Sequence, residues 1–136
     1  MTKGDLNKLQ YEIIGAAIEV HKHMGPGLLE SVYHRCMKHE LANRGIKFRS
    51  EVKINLNYKD LELEDEFLRC DLLVEDIIVV ELKAVECFAP IHETILLTYM
   101  KLQEVPKGLL INFTCSNIAD GGYKSFVNNF YRLIPD

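Results

Sequence analysis

The chain has 136 residues, close to one domain at about 150 residues per domain, so we expect a single domain over residues 1–136. Hydrophobic residues make up 48% and charged residues 26%, which supplies a core and excludes disordered, collagen-like and disulfide-dependent chains. The net charge of -4 excludes a protein that coats nucleic acid through a general basic surface. Any nucleic-acid contact must therefore be local.

Four cysteines lie in separate parts of the sequence: Cys36, Cys70, Cys87 and Cys115. Since they form no C-x-x-C pair, we interpret them as reduced core residues and not as zinc ligands. The start of the chain is polar, and no run reaches the roughly 18 apolar residues of a membrane helix. These features predict a cytoplasmic protein with no membrane contact.

Two helices are predicted at the start of the chain. Apolar residues recur at steps of three and four between residues 6 and 20, which is the stripe of a half-buried helix. Gly25-Pro26-Gly27 ends this helix. The same spacing between residues 29 and 41 predicts a second helix, closed by the polar residues before Gly45.

Beyond Gly45 the apolar period changes from about 3.6 to about 2, which predicts strands. The predicted strands cover residues 46–56, 61–74 and 77–84, with a turn at residues 57–60. The third is a short apolar run broken only by Glu81 and Lys83, a pattern that suits a central strand.

The rest of the chain predicts a helix from residue 90 to about residue 103, a strand at residues 109–113 and a last helix at residues 123–133. The element order is therefore α-α-β-β-β-α-β-α. Short turns make the first three strands antiparallel, whereas the helix between the third and fourth strands implies a right-handed crossover and a parallel pair. We expect an α/β fold with helices on both faces of a mixed central sheet.

Glu81 and Lys83 are two residues apart on the predicted central strand, so both side chains leave the same face of the sheet. Burying two charges is costly unless they pair or meet a metal ion, so their presence in an apolar run calls for an explanation. The alternative is that this face is solvated and that both are ordinary surface residues.

Asp71 supplies a second carboxylate, on the preceding strand and among apolar neighbours. Two carboxylates and a lysine on adjacent strands are a metal-site arrangement, because oxygen ligands hold Mg²⁺ and the lysine stabilises charge on a phosphate. A two-residue loop would leave Asp71 and Glu81 on opposite faces. An odd-numbered loop with Val74 opposite Ile78 places them directly opposite each other, and we predict such a loop or a bulge.

The motif of Asp71 followed by Glu81-x-Lys83, within this element order, resembles the PD-(D/E)XK nuclease superfamily. Five blocks are similar, more narrowly, to the bacterial GxxExxY proteins of that superfamily, and together they extend over nearly the whole chain. The blocks are IIGAAIEVH (residues 13–21), GLLESVY (27–33), DLLVE (71–75), ELKAV (81–85) and GLLINF (108–113).

The resemblance implies a restriction-endonuclease-like three-layer fold and a nuclease that hydrolyses phosphodiester bonds of DNA or RNA with Mg²⁺ or Mn²⁺. It further implies that Asp71 and Glu81 bind the metal ion and that Lys83 positions or activates the attacking water. Glu30, on the second helix, would complete the site. Glu30 also suits a purely local role, because a carboxylate near a helix start interacts favourably with the helix dipole.

Five residues are candidates for substrate contact: Tyr33, Arg35, Lys38, His92 and Tyr99. Arg35 and Lys38 belong to residues 35–53, where six Lys and Arg residues stand against two Glu residues. The alternative is a solvated helix face. For Tyr33 the alternative is a core aromatic residue, and for His92 a surface residue at a helix start.

A departure from the pattern of these proteins, together with the low overall basicity of the chain, motivates a second hypothesis. Such proteins commonly carry Gln-x-x-x-Tyr on the helix after the ExK strand, and here Tyr99 is present but Ile95 replaces the Gln. The second hypothesis is therefore a catalytically inactive member of the fold that binds nucleic acid or a protein partner. A third is a homodimer that pairs through an exposed strand edge. The stretch 61–66, which contains four acidic residues, is expected at a hairpin tip or edge, where it repels nucleic acid, so substrate should approach from the opposite side.

Overall fold

The computed structural model describes residues 1–136 and contains three α-helices, five strands and one 3-10 helix. The α-helices are α1 (Lys3–Met24), α2 (Glu30–Asn43) and α3 (Pro90–Leu102). The strands are β1 (Phe48–Tyr58), β2 (Leu61–Val74), β3 (Ile78–Lys83), β4 (Lys107–Asn112) and β5 (Tyr123–Val127), and the 3-10 helix spans Asn129–Leu133. None of the helices combines the length and apolar character that crossing a bilayer requires.

The five strands form one sheet in which spatial order follows chain order. The first three strands are antiparallel, β3 and β4 are parallel, and β5 returns antiparallel to β4. The helix α3 connects the parallel pair. This arrangement confirms the mixed sheet and the strand-helix-strand crossover that the sequence predicts.

Alternate residues of the central strands bury opposite faces of the sheet. Val80 and Leu82 pack with α1 and α2 in the larger core, whereas Val79 and Leu110 pack with α3 in the smaller one. Glu81 follows the alternation of Val79, so its side chain points to the α3 side. The helices therefore cover both faces, and the candidate site lies between the sheet and α3.

The end of the chain differs from the predicted helix over residues 123–133. Tyr123–Val127 is a strand paired with β4, and only the short 3-10 helix follows it. The three-residue spacing of Tyr123 and Phe126 suggests a helix, but on a strand it directs the two side chains to the two separate cores. The cause is tertiary: β4 is buried along its whole length, so its outer main-chain groups need a partner strand.

The cysteines are all free, as expected, but their environments differ. Cys70 is fully buried, whereas Cys36 and Cys115 are partly buried. Cys87 is exposed in the loop before α3, so its interpretation as a core residue is wrong. Cys87 is exposed because it lies in the loop between β3 and α3, outside the packed sheet and helices.

Gly108 lies where β4 passes beneath α3. A Cβ atom at this position would lie 2.6 Å from Met100 Sδ and 3.0 Å from Leu96 Cδ1. We predict that Gly108→Ala lowers the free energy of unfolding by about 1–3 kcal/mol, because extra volume in a filled core displaces side chains. Urea denaturation measures this loss.

The control is Gly4→Ala, in the first turn of α1. There a Cβ atom would make only an ordinary contact, at 3.6 Å from Thr2 Oγ1. We expect this variant to keep the stability of the wild type. Equal losses for the two variants would contradict the packing explanation.

Candidate functional site

The hairpin between β2 and β3 sets the geometry of the site. Its register pairs Val74 with Ile78 and Leu72 with Val80, which leaves residues 75–77 in the loop. The predicted odd-numbered loop is therefore confirmed. One step further along the same register, Asp71 faces Glu81.

The hydrogen-bond ladder between β2 and β3 ends beside this pair. Beyond Leu72 and Val80, the main-chain N–H of Leu82 donates to Asp71 Oδ2 at 2.9 Å. A side chain thus takes the place of a main-chain carbonyl. The bond holds the Asp71 carboxylate against the strand that carries Glu81.

Glu81 is only 4% exposed, and its Oε1 is buried without any hydrogen-bond partner. Burial raises the pKa of Glu81 from 4.5 to about 10; the neighbouring Asp71 carboxyl adds to this rise and Lys83 opposes it. A buried acceptor without a donor is costly. A divalent cation between Asp71 and Glu81 would satisfy this oxygen, so the two carboxylates fit a hard metal ion.

Lys83 ends β3 on the same face as Glu81 and is partly exposed. Its neighbour on β4 is Asn112, a buried polar residue. Asn112 Nδ2 donates to the Val85 carbonyl at 2.8 Å, and Asn112 Oδ1 accepts the Val85 N–H at 3.1 Å. These two hydrogen bonds between the Asn112 side chain and the Val85 main chain hold the loop that follows Lys83.

The importance of Asn112 was missed by the reasoning from sequence. The available signal was a single polar residue within the apolar strand predicted at residues 109–113. Because a buried amide needs hydrogen-bond partners, such a residue indicates a contact to main chain or to another polar side chain.

The helix α3 encloses the carboxylate pair from above. Burial raises the pKa of both Tyr99 and Cys70 to about 12, and the nearby charge of Glu81 adds to each shift. Both groups therefore lie within electrostatic range of Glu81. Ile95 packs into the apolar cluster on this side of the sheet, so it supplies no polar group.

A family model of the PD-(D/E)XK nuclease superfamily matches residues 7–125. The chain belongs to this superfamily. Its mixed sheet with helices on both faces is consistent with the restriction-endonuclease-like fold of that group. No curated protein and no solved structure matches the chain significantly. The narrower resemblance to the GxxExxY proteins stays a prediction.

Glu30 does not join the carboxylate pair in this member of the superfamily. Glu30 is the exposed first residue of α2, and α2 packs on the face of the sheet opposite to that of Glu81. No group of three or more His, Cys, Asp or Glu side chains is close enough to share a metal ion. The predicted set of three carboxylates is thus reduced to Asp71 and Glu81.

Two of the predicted substrate contacts have structural roles. Tyr33 is fully buried and stacks on Phe113 with ring centroids 4.5 Å apart, while its hydroxyl donates to the Gly25 carbonyl. Tyr33 is therefore a core residue and not a surface contact. His92 Nδ1 accepts the Ala89 N–H at the start of α3, which matches its alternative interpretation as a residue at a helix start.

The cations of residues 35–53 do not form one free basic surface. Arg44 pairs with Glu40 at 2.9 Å, and Arg49 pairs with Asp76 at 3.0 Å. Arg35 is exposed and Lys38 partly exposed on α2, and neither forms a salt bridge. Their contact with substrate stays a prediction.

We predict that Glu81→Gln stabilises the protein when divalent cations are removed with EDTA. Glu81 ionises at 4.5 in its ordinary environment but at about 10 in the fold, so between these values the folded state holds a proton that the unfolded state has lost. Wild-type stability therefore falls as pH rises through this window, and Gln removes the loss. Thermal melting should show a gain that grows from about pH 6 to about pH 8.

The exposed Glu86 provides the matched control. Glu86→Gln should leave the melting temperature unchanged at both pH values. A Glu81→Gln variant that melts below the wild type, or by a constant difference at every pH, would show that the buried carboxyl does not hold its proton.

Proposed function

We propose that the protein is a metal-dependent nuclease that hydrolyses phosphodiester bonds of DNA or RNA. The observation that supports this most strongly is the placement of Asp71 opposite Glu81, whose buried Oε1 no protein group satisfies. Lys83 on the same face adds a cation beside the two carboxylates. Such a set suits Mg²⁺ or Mn²⁺ together with a phosphate.

The residues divide the work of the site. A bound divalent ion supplies Lewis-acid activation of a phosphate oxygen and of a water molecule. The Leu82 N–H orients the Asp71 carboxylate. To hold a divalent ion, Glu81 would have to give up its proton to solvent, so metal binding would be coupled to proton release. The Lys83 ammonium positions the attacking water and stabilises negative charge on the phosphate.

A catalytically inactive, nucleic-acid-binding protein is the second candidate. The observation in its favour is Ile95, which packs into the apolar cluster where related proteins commonly carry Gln. A polar contact close to the carboxylates is therefore absent. Both carboxylates and Lys83 are nevertheless present, which is why we favour the enzyme.

We predict that Asp71→Ala and Lys83→Ala each reduce Mg²⁺-dependent cleavage by about 100-fold or more, since a metal ligand or a charge-stabilising group is lost. Single-stranded and double-stranded DNA and RNA serve as substrates in a gel assay. Exposed residues of the same types provide controls, and Asp120→Ala and Lys101→Ala should cleave like the wild type.

Two outcomes would count against the enzyme. Wild-type protein that binds nucleic acid in Mg²⁺ but cleaves none of the substrates would favour the inactive binding protein. Cleavage that survives in both site variants would place the activity elsewhere.

We predict that Glu30→Gln leaves the affinity for Mn²⁺ nearly unchanged, whereas Asp71→Asn weakens it by about tenfold or more. The reason is that Asp71 faces Glu81 whereas Glu30 begins a helix on the other side of the sheet. Isothermal titration calorimetry measures both. A comparable loss for Glu30→Gln would restore the ligand set of three carboxylates.

A further inference from the structure

One face of the β1–β2 hairpin carries two cations, an aromatic ring and an amide. Lys53 on β1 lies directly opposite Arg69 on β2, and Asn55 lies opposite Phe67. Because residues two apart along a strand share a face, the four side chains form one surface, which we name the hairpin patch. Lys53 Nζ lies 4.5 Å and Arg69 Cζ 5.6 Å from the centroid of the Phe67 ring.

The hairpin patch is unfavourable as a purely structural feature. Like charges directly opposite each other destabilise a strand pair. Neither Lys53 nor Arg69 forms a salt bridge with a carboxylate, and Phe67 is 40% exposed. Cation–π contacts at such exposed positions are weak. The patch therefore presents two cations without carboxylate partners and an exposed aromatic ring.

We propose that the hairpin patch binds single-stranded nucleic acid. Phe67 stacks against an unpaired base, and Lys53 and Arg69 bind the flanking phosphates. Stacking of a base on an aromatic ring is stronger than an exposed cation–π contact, so the base displaces the cations from the ring and frees them for phosphate. A duplex offers its phosphates but not the face of a base, so it uses only half of the patch.

The role of the patch in substrate binding rests on the proposed nuclease function. Arg69 precedes Asp71 by two residues on β2, about 7 Å along the strand. Its neighbours Leu68 and Cys70 pack in the α3 cluster, so the patch lies on the face of the hairpin that points away from α3. Residues 64–66, all acidic, have no partners on β1 and lie between Phe67 and the hairpin tip. Their charge repels phosphate, which favours binding of the strand at the base of the hairpin and not at its tip.

The proposed location differs from the expectation that substrate approaches from the side opposite the acidic hairpin. The acidic residues repel nucleic acid near the tip, as the sequence indicates. The face that carries Lys53 and Arg69 attracts it nearer the base of the hairpin. The arrangement was hidden because the two cations come from distant positions in the chain.

Binding is tested by fluorescence anisotropy in EDTA, where metal-dependent cleavage cannot contribute. The probes are a labelled single strand of DNA, the RNA strand of the same sequence, and the corresponding DNA duplex. We expect the wild type to bind at least one single strand more tightly than the duplex. Asp120→Asn, at an exposed carboxylate outside the patch and the candidate site, should bind like the wild type.

Variants separate stacking from charge. Phe67→Ala should weaken single-strand binding by about fivefold to 100-fold with the same salt dependence, and Phe67→Tyr should restore it. The double variant Lys53→Gln with Arg69→Gln should reduce the slope of log affinity against log salt by about 1.4. The charge-matched control is Lys8→Gln with Lys101→Gln, two exposed lysines on α1 and α3. Circular dichroism verifies that each variant is folded.

Three results would contradict the proposal that the patch binds single strands. They are no binding to any probe, tighter binding to the duplex than to both single strands, and patch variants that bind like the wild type. The nuclease proposal is tested separately, by measuring cleavage. Loss of binding in patch variants without any wild-type cleavage would keep the patch and reject the enzyme. Cleavage that depends on Asp71 but is unchanged in the patch variants would support the enzyme and reject the role of the patch in substrate binding.

Discussion

A three-residue loop between β2 and β3 sets the register that brings two carboxylates together. Because side chains alternate along a strand, one loop residue fewer would turn Asp71 to the other face of the sheet and leave Glu81 alone. The same register ends the ladder where the Leu82 N–H holds Asp71. The orientation of Asp71 and its placement opposite Glu81 therefore have one common cause.

The close packing of α3 on the sheet buries Glu81 and raises its pKa. Gly108 has no side chain, so α3 approaches β4 closely through Leu96 and Met100 and keeps water from the α3 side of the sheet. Glu81 is consequently deprived of solvation, and its pKa rises. An apolar residue at this position would stabilise the fold better. In the proposed nuclease, a bound cation would recover this cost.

The negative net charge is compatible with nucleic-acid binding because charge is distributed by position. Acidic residues 64–66 lie at the distal part of the hairpin, whereas Lys53 and Arg69 meet on one face of it. Asp71 and Glu81, the proposed metal ligands, account for a further part of the acidic excess. A protein with this charge distribution attracts a polyanion only at a small surface, here the face that carries Lys53 and Arg69. It does not attract one over its whole surface.

Local periodicity in the sequence determined the three α-helices, the first four strands and the face shared by Glu81 and Lys83, since these depend on neighbours within a few residues. The need for an odd loop also followed, because parity alone decides the face. Tertiary structure decided the features that join distant residues. It turned residues 123–127 into a strand because buried β4 needed a partner, and it placed Glu30 at the start of α2, which packs on the face of the sheet opposite to that of Glu81. It also set Lys53 opposite Arg69, a pairing fixed by the hairpin register along β1 and β2 and by no local pattern.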